Sequence, residues 1–534
     1  MKVSLLCRVQ AVTGPVFLIL LCLQLFGSGG LLAQTAMPPG AYDVRSFGAV
    51  ADGQTKCTES IARAIAAAGE RGGGTIYFPG GTFLTGPIHL SSHITLFLDA
   101  GAVLKFSTNF DDYLPMVPSR WEGIEVTNFS PFIYAQNAAN IAIRGRGTLD
   151  GQGRTWWQEW SRVRSSKGDE KNKWQQEFAR LNPNPLVAEG YKTLEKGFMR
   201  PPFIQPYNCT NVLIEGVTII NSPFWTVTPL YCENVTVNAV VIKNPESPNT
   251  DGINPDSCHN VHISNCSISV GDDCITIKSG RDADGRRVGR PAENYTISNC
   301  TMADGHGGVV IGSEMSGGVK NITIANCIFD GTDRGIRIKS ARGRGGVVED
   351  VRVNNIVMRN IKNEAVILTT IYEKSAPQPV SETTPIFRNI RFNGITGDAK
   401  IAGELSGLAE MPLEGISFSD VKLDATTGFT IIDSKDIGFH NVTINAAKGP
   451  GILADKTMGL ELDGVRTTQT NAEAFVDLRD IKSVFIHGCS APPGGNAFVS
   501  VRAESRPELV LEGNNFGVAK SQVTVVESSS KPSP

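Results

Sequence analysis

Residues 260–275 read NVHISNCSISVGDDCI. After a leading asparagine, apolar residues alternate with polar ones, as they do on a strand whose two faces meet different surroundings. The pattern recurs as NIAIRGRGT from Asn140, NVLIEGVTI from Asn211, NVTVNAVVI from Asn234, NYTISNCTM from Asn294 and NITIANCIF from Asn321. It continues as DVRVNNIVM from Asp350, NIRFNGITG from Asn389, GISFSDVKL from Gly415, DIGFHNVTI from Asp436, GLELDGVRT from Gly459 and SVFIHGCSA from Ser483, with most repeats 21 to 29 residues apart. A short strand cannot bury its apolar face alone, so this period implies coils that stack and share one core. The expected fold is all-β: a single-stranded, right-handed parallel β-helix. A sandwich or propeller would separate its strands by tight Asn-Gly hairpins, and these do not punctuate the repeats.

Three stretches leave the period. TESIARAIAAAG, residues 58–69, is Ala-rich with a threonine at the N-cap position, and is expected to be a helix closing the first coil. Residues 152–200 interrupt the repeats with a charged segment carrying Trp156, Trp157, Trp160 and Trp174, expected as a loop on the binding face. Residues 520–534 end in ESSSKPSP and are expected to be a disordered tail, which leaves 34–519 as the solenoid domain.

The N-terminus has Lys2 and Arg8, then an apolar run from Val16 to Phe26, then small residues and Leu31-Leu32-Ala33. That order is a secretory signal peptide over residues 1–33, too short to span a bilayer, so a secreted or periplasmic protein with no membrane partner is expected. Its removal takes the formal net charge from −3 to −5. A weakly acidic chain has no global field for nucleic acid. Locally, however, residues 278–344 hold 11 Lys/Arg against 7 Asp/Glu, which suits a polyanion. Nine cysteines remain beyond the signal, none at metal-ligand spacing. Cys266, Cys300, Cys327 and Cys489 share one position of the repeat and are expected to stack as core thiols rather than disulfides.

Asp272 and Asp273 end the opening stretch, and Asp251 lies 21 residues earlier, about one coil. Stacking is expected to bring the three together, with His306 one coil on and Arg337 and Lys339 one further. Crowded carboxylates divide labour: one retains a proton and donates it while its neighbours stay ionised. Glycoside hydrolysis needs such an acid and such a base, and inversion asks for roughly 6.5–9.5 Å between them. A calcium site of oxygen ligands is the structural alternative, against which the two cations count. A transition-metal site would need a second histidine or cysteine beside His306.

The segments NTDG at 249–252, GDDC at 271–274, GHGG at 305–308 and RIK at 337–339 resemble, in order and separation, the signatures of the polygalacturonases of glycoside hydrolase family 28. The resemblance runs from YDVRSFGAVADG at Tyr42 through SPFWTVTP at Ser222 to about Tyr372. It implies hydrolysis of α-1,4-galacturonan in pectic polysaccharide, with inversion and without cofactor or metal. It makes Asp272 the general acid, Asp251 and Asp273 the pair that activates water, and His306 the residue that tunes the acid's proton. Arg337 and Lys339 would bind the galacturonate carboxylate, and Tyr372 falls where the family has a site tyrosine. Asn254 and Asp256 are expected as turn or supporting residues. The basic insertion GRDADGRRVGRPAEN, residues 280–294, looks like that of bacterial exo-acting members, so Arg281, Arg286, Arg287 and Arg290 are expected at the terminal sugar. Alternatives are an endo-acting enzyme, a rhamnogalacturonan hydrolase, a pectate-lyase-like β-helix and a non-catalytic polysaccharide-binding solenoid. The lyase would want an arginine base and calcium, and binding alone would not require three acids.

Overall fold

The computed structural model describes residues 40–166, 170–183, 194–246, 248–470, 474–491, 494, 497–516 and 521–527. The signal-peptide expectation, at residues 1–33, lies outside them.

The repeats form parallel strands in one continuous register. Val235 pairs with Val261, which pairs with Tyr295, then Ile322, Val351 and Ile390 in turn. All are buried. The column continues through Ile416, Ile437, Leu460 and Val484 to Leu509, as a parallel β-helix requires. Each fully buried aliphatic side chain contributes roughly 1.5–3 kcal/mol, and the column repeats that gain on every coil.

The polar residue that opens each repeat has a backbone role. Asn140, Asn211, Asn234, Asn260, Asn294 and Asn321 all have φ between 56° and 62°, in the left-handed region that asparagine tolerates better than other non-glycine residues. Their amides also form a ladder: Asn211 donates to Asn140 at 2.8 Å, Asn234 to Asn211 at 3.0 Å and Asn260 to Asn234 at 3.1 Å. The nine described cysteines are buried free thiols, as expected for stacked core positions.

Helix α1, Thr58–Gly69, buries Ile61, Ala64, Ile65 and Ala68 against the first coil. Its N-cap is Cys57 rather than Thr58, because the Thr58 hydroxyl instead accepts from the Gly86 N–H at 2.6 Å. The insertion at 152–200 is not a loop over its described length but contains helices α2, Arg154–Ser165, and α3, Lys173–Leu181. Trp156 is fully buried among Phe110, Tyr113, Phe129 and Phe132. The expected disordered tail is also corrected in part: Ser521–Val526 is a strand pairing with Ala497–Arg502, since Gln522 to Val526 still alternates enough to add one rung.

Candidate active site

A second column carries the motifs. Ile204, Val227, Ile253, Ile275, Val309 and Ile336 are parallel neighbours on successive coils. The offset between Ile253 and Ile275 stacks Asp251 under Asp273, with Asp272 beside it, so the three acids meet as the coil spacing led one to expect. Asp273 pairs with Gly307, so Asp272 lies one rung before His306. The glycines are steric necessities. A Cβ on Gly252 would collide with the Cys274 carbonyl oxygen, and one on Gly308 would lie 2.8 Å from the Phe329 ring. Gly305, at φ 72°, turns the chain into the His306 rung.

The three carboxylates converge, with an oxygen of each within 4.8 Å of the others. They meet because two acids occupy adjacent rungs and the third is the chain neighbour of one of them. Asp251 and Asp273 are buried, while Asp272 keeps 18% of its side chain exposed. Asp272 Oδ1 lies 3.1 Å from His306 Nδ1 and accepts from the Asp273 N–H at 2.9 Å. Lys339 Nζ donates to Asp273 Oδ2 at 2.9 Å, and Arg337 Nη1 is 3.9 Å from Asp273 Oδ1. Tyr372 lies at the rim, its ring 5.4 Å from the Arg337 guanidinium and 5.5 Å from Lys339 Nζ.

Burial, then the charges of Asp272 and Asp273, push the Asp251 carboxyl well above the usual range, against the pull of Lys278 and Lys339. Burial pushes Asp272 up as well, but the hydrogen bond and charge of His306, with Lys339 and Lys278 behind them, outweigh it and leave Asp272 below the usual range. The same hydrogen bond raises His306 despite partial burial.

Residues that the sequence did not single out complete a cleft of about 320 Å³: Glu122, Trp225, Lys278, Glu314, Arg344 and Glu373. Lys278 had a signal, since Ile-Thr-Ile-Lys at 275–278 repeats the pattern of Ile-Arg-Ile-Lys at 336–339 two coils on. Glu122, Glu314 and Arg344 lie outside the repeat, where no periodicity marks them. Glu122 sits at the tip of an antiparallel hairpin, Val117–Trp121 with Ile124–Asn128. The hairpin is anchored by Arg120, which donates to Asp256 at 2.8 Å and to Ser257 at 3.0 Å, giving Asp256 a supporting role. Its tip meets the basic insertion where the Arg281 N–H donates to the Gly123 carbonyl at 2.9 Å.

Of the four arginines expected at the terminal sugar, only Arg281 lines the cleft. The other three serve the fold. Helix α4, Asp282–Val288, carries Arg286 toward the carbonyls of Gly343 and Arg344, and Arg287 toward Glu125 and Asp284. Arg290 lies over the Tyr231 ring at 5.8 Å. The tryptophans of the insertion reach the cleft through a relay of contacts. Trp160 stacks at 4.2 Å on the buried Arg200, whose Nη2 donates to Asn249 Oδ1 at 2.9 Å, and the Asn249 amide nitrogen lies 3.4 Å from Asp272 Oδ2. Burial lowers Arg200 to about 9.

A sequence profile described as Glycosyl hydrolases family 28 matches residues 188–434, reaching past Tyr372. Another, described as Rhamnogalacturonase A/epimerase, pectate lyase-like, matches residues 41–168. A Vitis vinifera protein named "Probable polygalacturonase" is 33% identical over 389 residues, covering 71% of this chain and 73% of that protein. An "Endo-polygalacturonase" of Pectobacterium carotovorum subsp. carotovorum is 34% identical over 355 residues, covering 65% of this chain and 79% of that one. The solved structure of the hyperthermoactive exopolygalacturonase from Thermotoga maritima matches with a TM-score of 0.68 at 35% identity, covering 76% of this chain and 92% of that one. The stacked motifs and a match along most of the chain lead to one conclusion: this protein is a glycoside hydrolase that belongs to family 28.

Proposed function

We propose that the enzyme hydrolyses α-1,4-galacturonosidic bonds of polygalacturonate with inversion, acting from the chain end. The observation that carries the substrate class is the clustering of Arg337 and Lys339 beside three carboxylates in one cleft, since those cations call for an anionic sugar next to an acid and a base. Asp272 is the general acid, because it alone of the three has an open side and a histidine to supply a proton. Asp251 and Asp273 hold and activate the water, and Tyr372 packs at the rim against the bound sugar. What supports inversion is that Asp273 is tied to Lys339 and Asp251 is buried, which suits the two to hold a water between them rather than to attack the anomeric carbon themselves.

Chain-end action is supported by the hairpin tip, where Glu122 lines the cleft and Gly123 packs against Arg281 and Glu314, adding bulk beside the acids that an open groove would lack. Export is also part of the proposal, on the strength of residues 1–33, and the N-terminal sequence of the mature protein tests it. No helix among the described residues is long and apolar enough to cross a membrane.

One experiment addresses the chemistry. Polygalacturonate digestion followed by proton NMR should give the inverted anomer, with viscosity falling slowly relative to reducing-end release. A retained anomer would assign one aspartate as nucleophile. Rapid viscosity loss at low conversion would make the enzyme endo-acting, and an unsaturated product absorbing in the ultraviolet would make it a lyase.

A further inference from the structure

Lys278 and Lys339 occupy equivalent positions on their coils, with the side-chain-free Gly312 on the rung between them. They hold their acids differently. Lys339 Nζ is 2.9 Å from Asp273 Oδ2. Lys278 Nζ is 3.7 Å from Asp251 Oδ2 and only 2.8 Å from Glu314 Oε2, with the Trp225 ring 4.4 Å away. Asp251 therefore shares its cation with a competitor, and the competitor is closer.

We propose that the Lys278–Glu314 ion pair is a positioning device for the reaction: it sets how much cationic charge reaches Asp251, and so the acidity at which that carboxylate is ready to act as a base. The inference rests on the hydrolytic role proposed for Asp251.

The surroundings of Asp251 leave this adjustment to Lys278. Asp272 and Asp273 oppose its ionisation, while Lys339 and Arg200 act from a distance, Lys339 being committed to Asp273 and Arg200 to Asn249. Glu314 is held from the other side by Arg344 and Arg281 as well as Lys278, and these outweigh its burial and keep it ionised well below the usual carboxylate range. It thus keeps its hold on Lys278 at every pH at which Asp251 titrates. Neutralising Glu314 leaves Asp251 as the remaining close anion for Lys278. Neutralising Lys278 strips Asp251 of its nearest cation and leaves Glu314 as a further like charge.

The two halves of one ion pair should therefore shift the reaction in opposite directions. In kcat/KM profiles on polygalacturonate, Lys278→Met should move the acid limb to higher pH by about one unit, and Glu314→Gln should move it to lower pH. Lys278→Arg should restore the original limb. Thermal melts across the same pH range, comparing each variant with its Asp251→Asn counterpart, read the titration of Asp251 without turnover. They should show the same opposite shifts, and Glu314→Asp provides a milder change should Glu314→Gln fail to fold. Shifts in the same direction, or an unmoved limb with only KM raised, would overturn the proposal, the latter making Lys278 a substrate contact alone. Failure of the wild-type enzyme to hydrolyse galacturonan would instead refute the proposed function, and the melts would still decide whether the pair tunes Asp251.

Discussion

His306 and Asp272 are joined twice: Nδ1 lies 3.1 Å from Oδ1, and the His306 backbone N–H donates to the Asp272 carbonyl at 2.9 Å. The second bond belongs to the solenoid ladder and fixes the height of the imidazole. The first raises His306 and lowers Asp272, which favours a proton on the imidazole, and in the proposed reaction Asp272 would carry that proton to the glycosidic oxygen.

That proton predicts the alkaline limb. Because Asp272 raises His306, activity should persist above the ordinary histidine value of about 6.5 and fall as pH rises through the elevated one. His306→Asn should cost roughly 10²-fold in kcat and remove this limb from the pH profile. Stability follows the same linkage: the histidine contribution is complete below about pH 6.5 and lost as pH rises through the folded value. The Tm difference between wild type and His306→Asn should therefore shrink between pH 6 and pH 9.

Asp272→Asn should reduce kcat by roughly 10²–10⁴-fold or more while leaving the circular dichroism spectrum unchanged. Near-normal turnover would remove Asp272 as the acid.

Asp251→Asn should abolish turnover and stabilise the fold. A carboxyl whose folded value is raised gives full stability below its unfolded value, near 3.9, and loses it as pH rises toward the folded value. The amide escapes that loss, so the Tm gain should be larger at pH 8 than at pH 4. A variant less stable than wild type at pH 8 would show that Lys278 needs the Asp251 charge more than the cluster suffers from it.

Arg337 and Lys339 should differ in kinetics although the sequence treats them alike. Arg337 Nε has no hydrogen-bond partner among the described residues, so Arg337→Ala should chiefly raise KM on polygalacturonate. Lys339 already holds the buried Asp273, so Lys339→Ala should lower kcat as well as raise KM and should also lower Tm. Equal effects of the two substitutions on kcat would contradict the division.

Sequence alone determined the solenoid, because alternation and a near-constant period leave stacked parallel strands as the way to bury every apolar face. It also brought together Asp251, Asp272, Asp273, His306, Arg337 and Lys339, since residues at coil spacing on a solenoid become neighbours in space. Which of the two neighbouring acids faces Asp251 was left to the structure, because turns of unequal length set which residue faces which. Tertiary structure alone decided the remainder of the cleft. Glu122, Glu314 and Arg344 arrive on a hairpin and turns that obey no period, and Arg286, Arg287 and Arg290 are drawn to carbonyls, acids and the Tyr231 ring of the fold rather than to the cleft. A repeat specifies contacts between coils, whereas the partners of an inserted segment depend on how it folds back, and no local pattern in the chain encodes that.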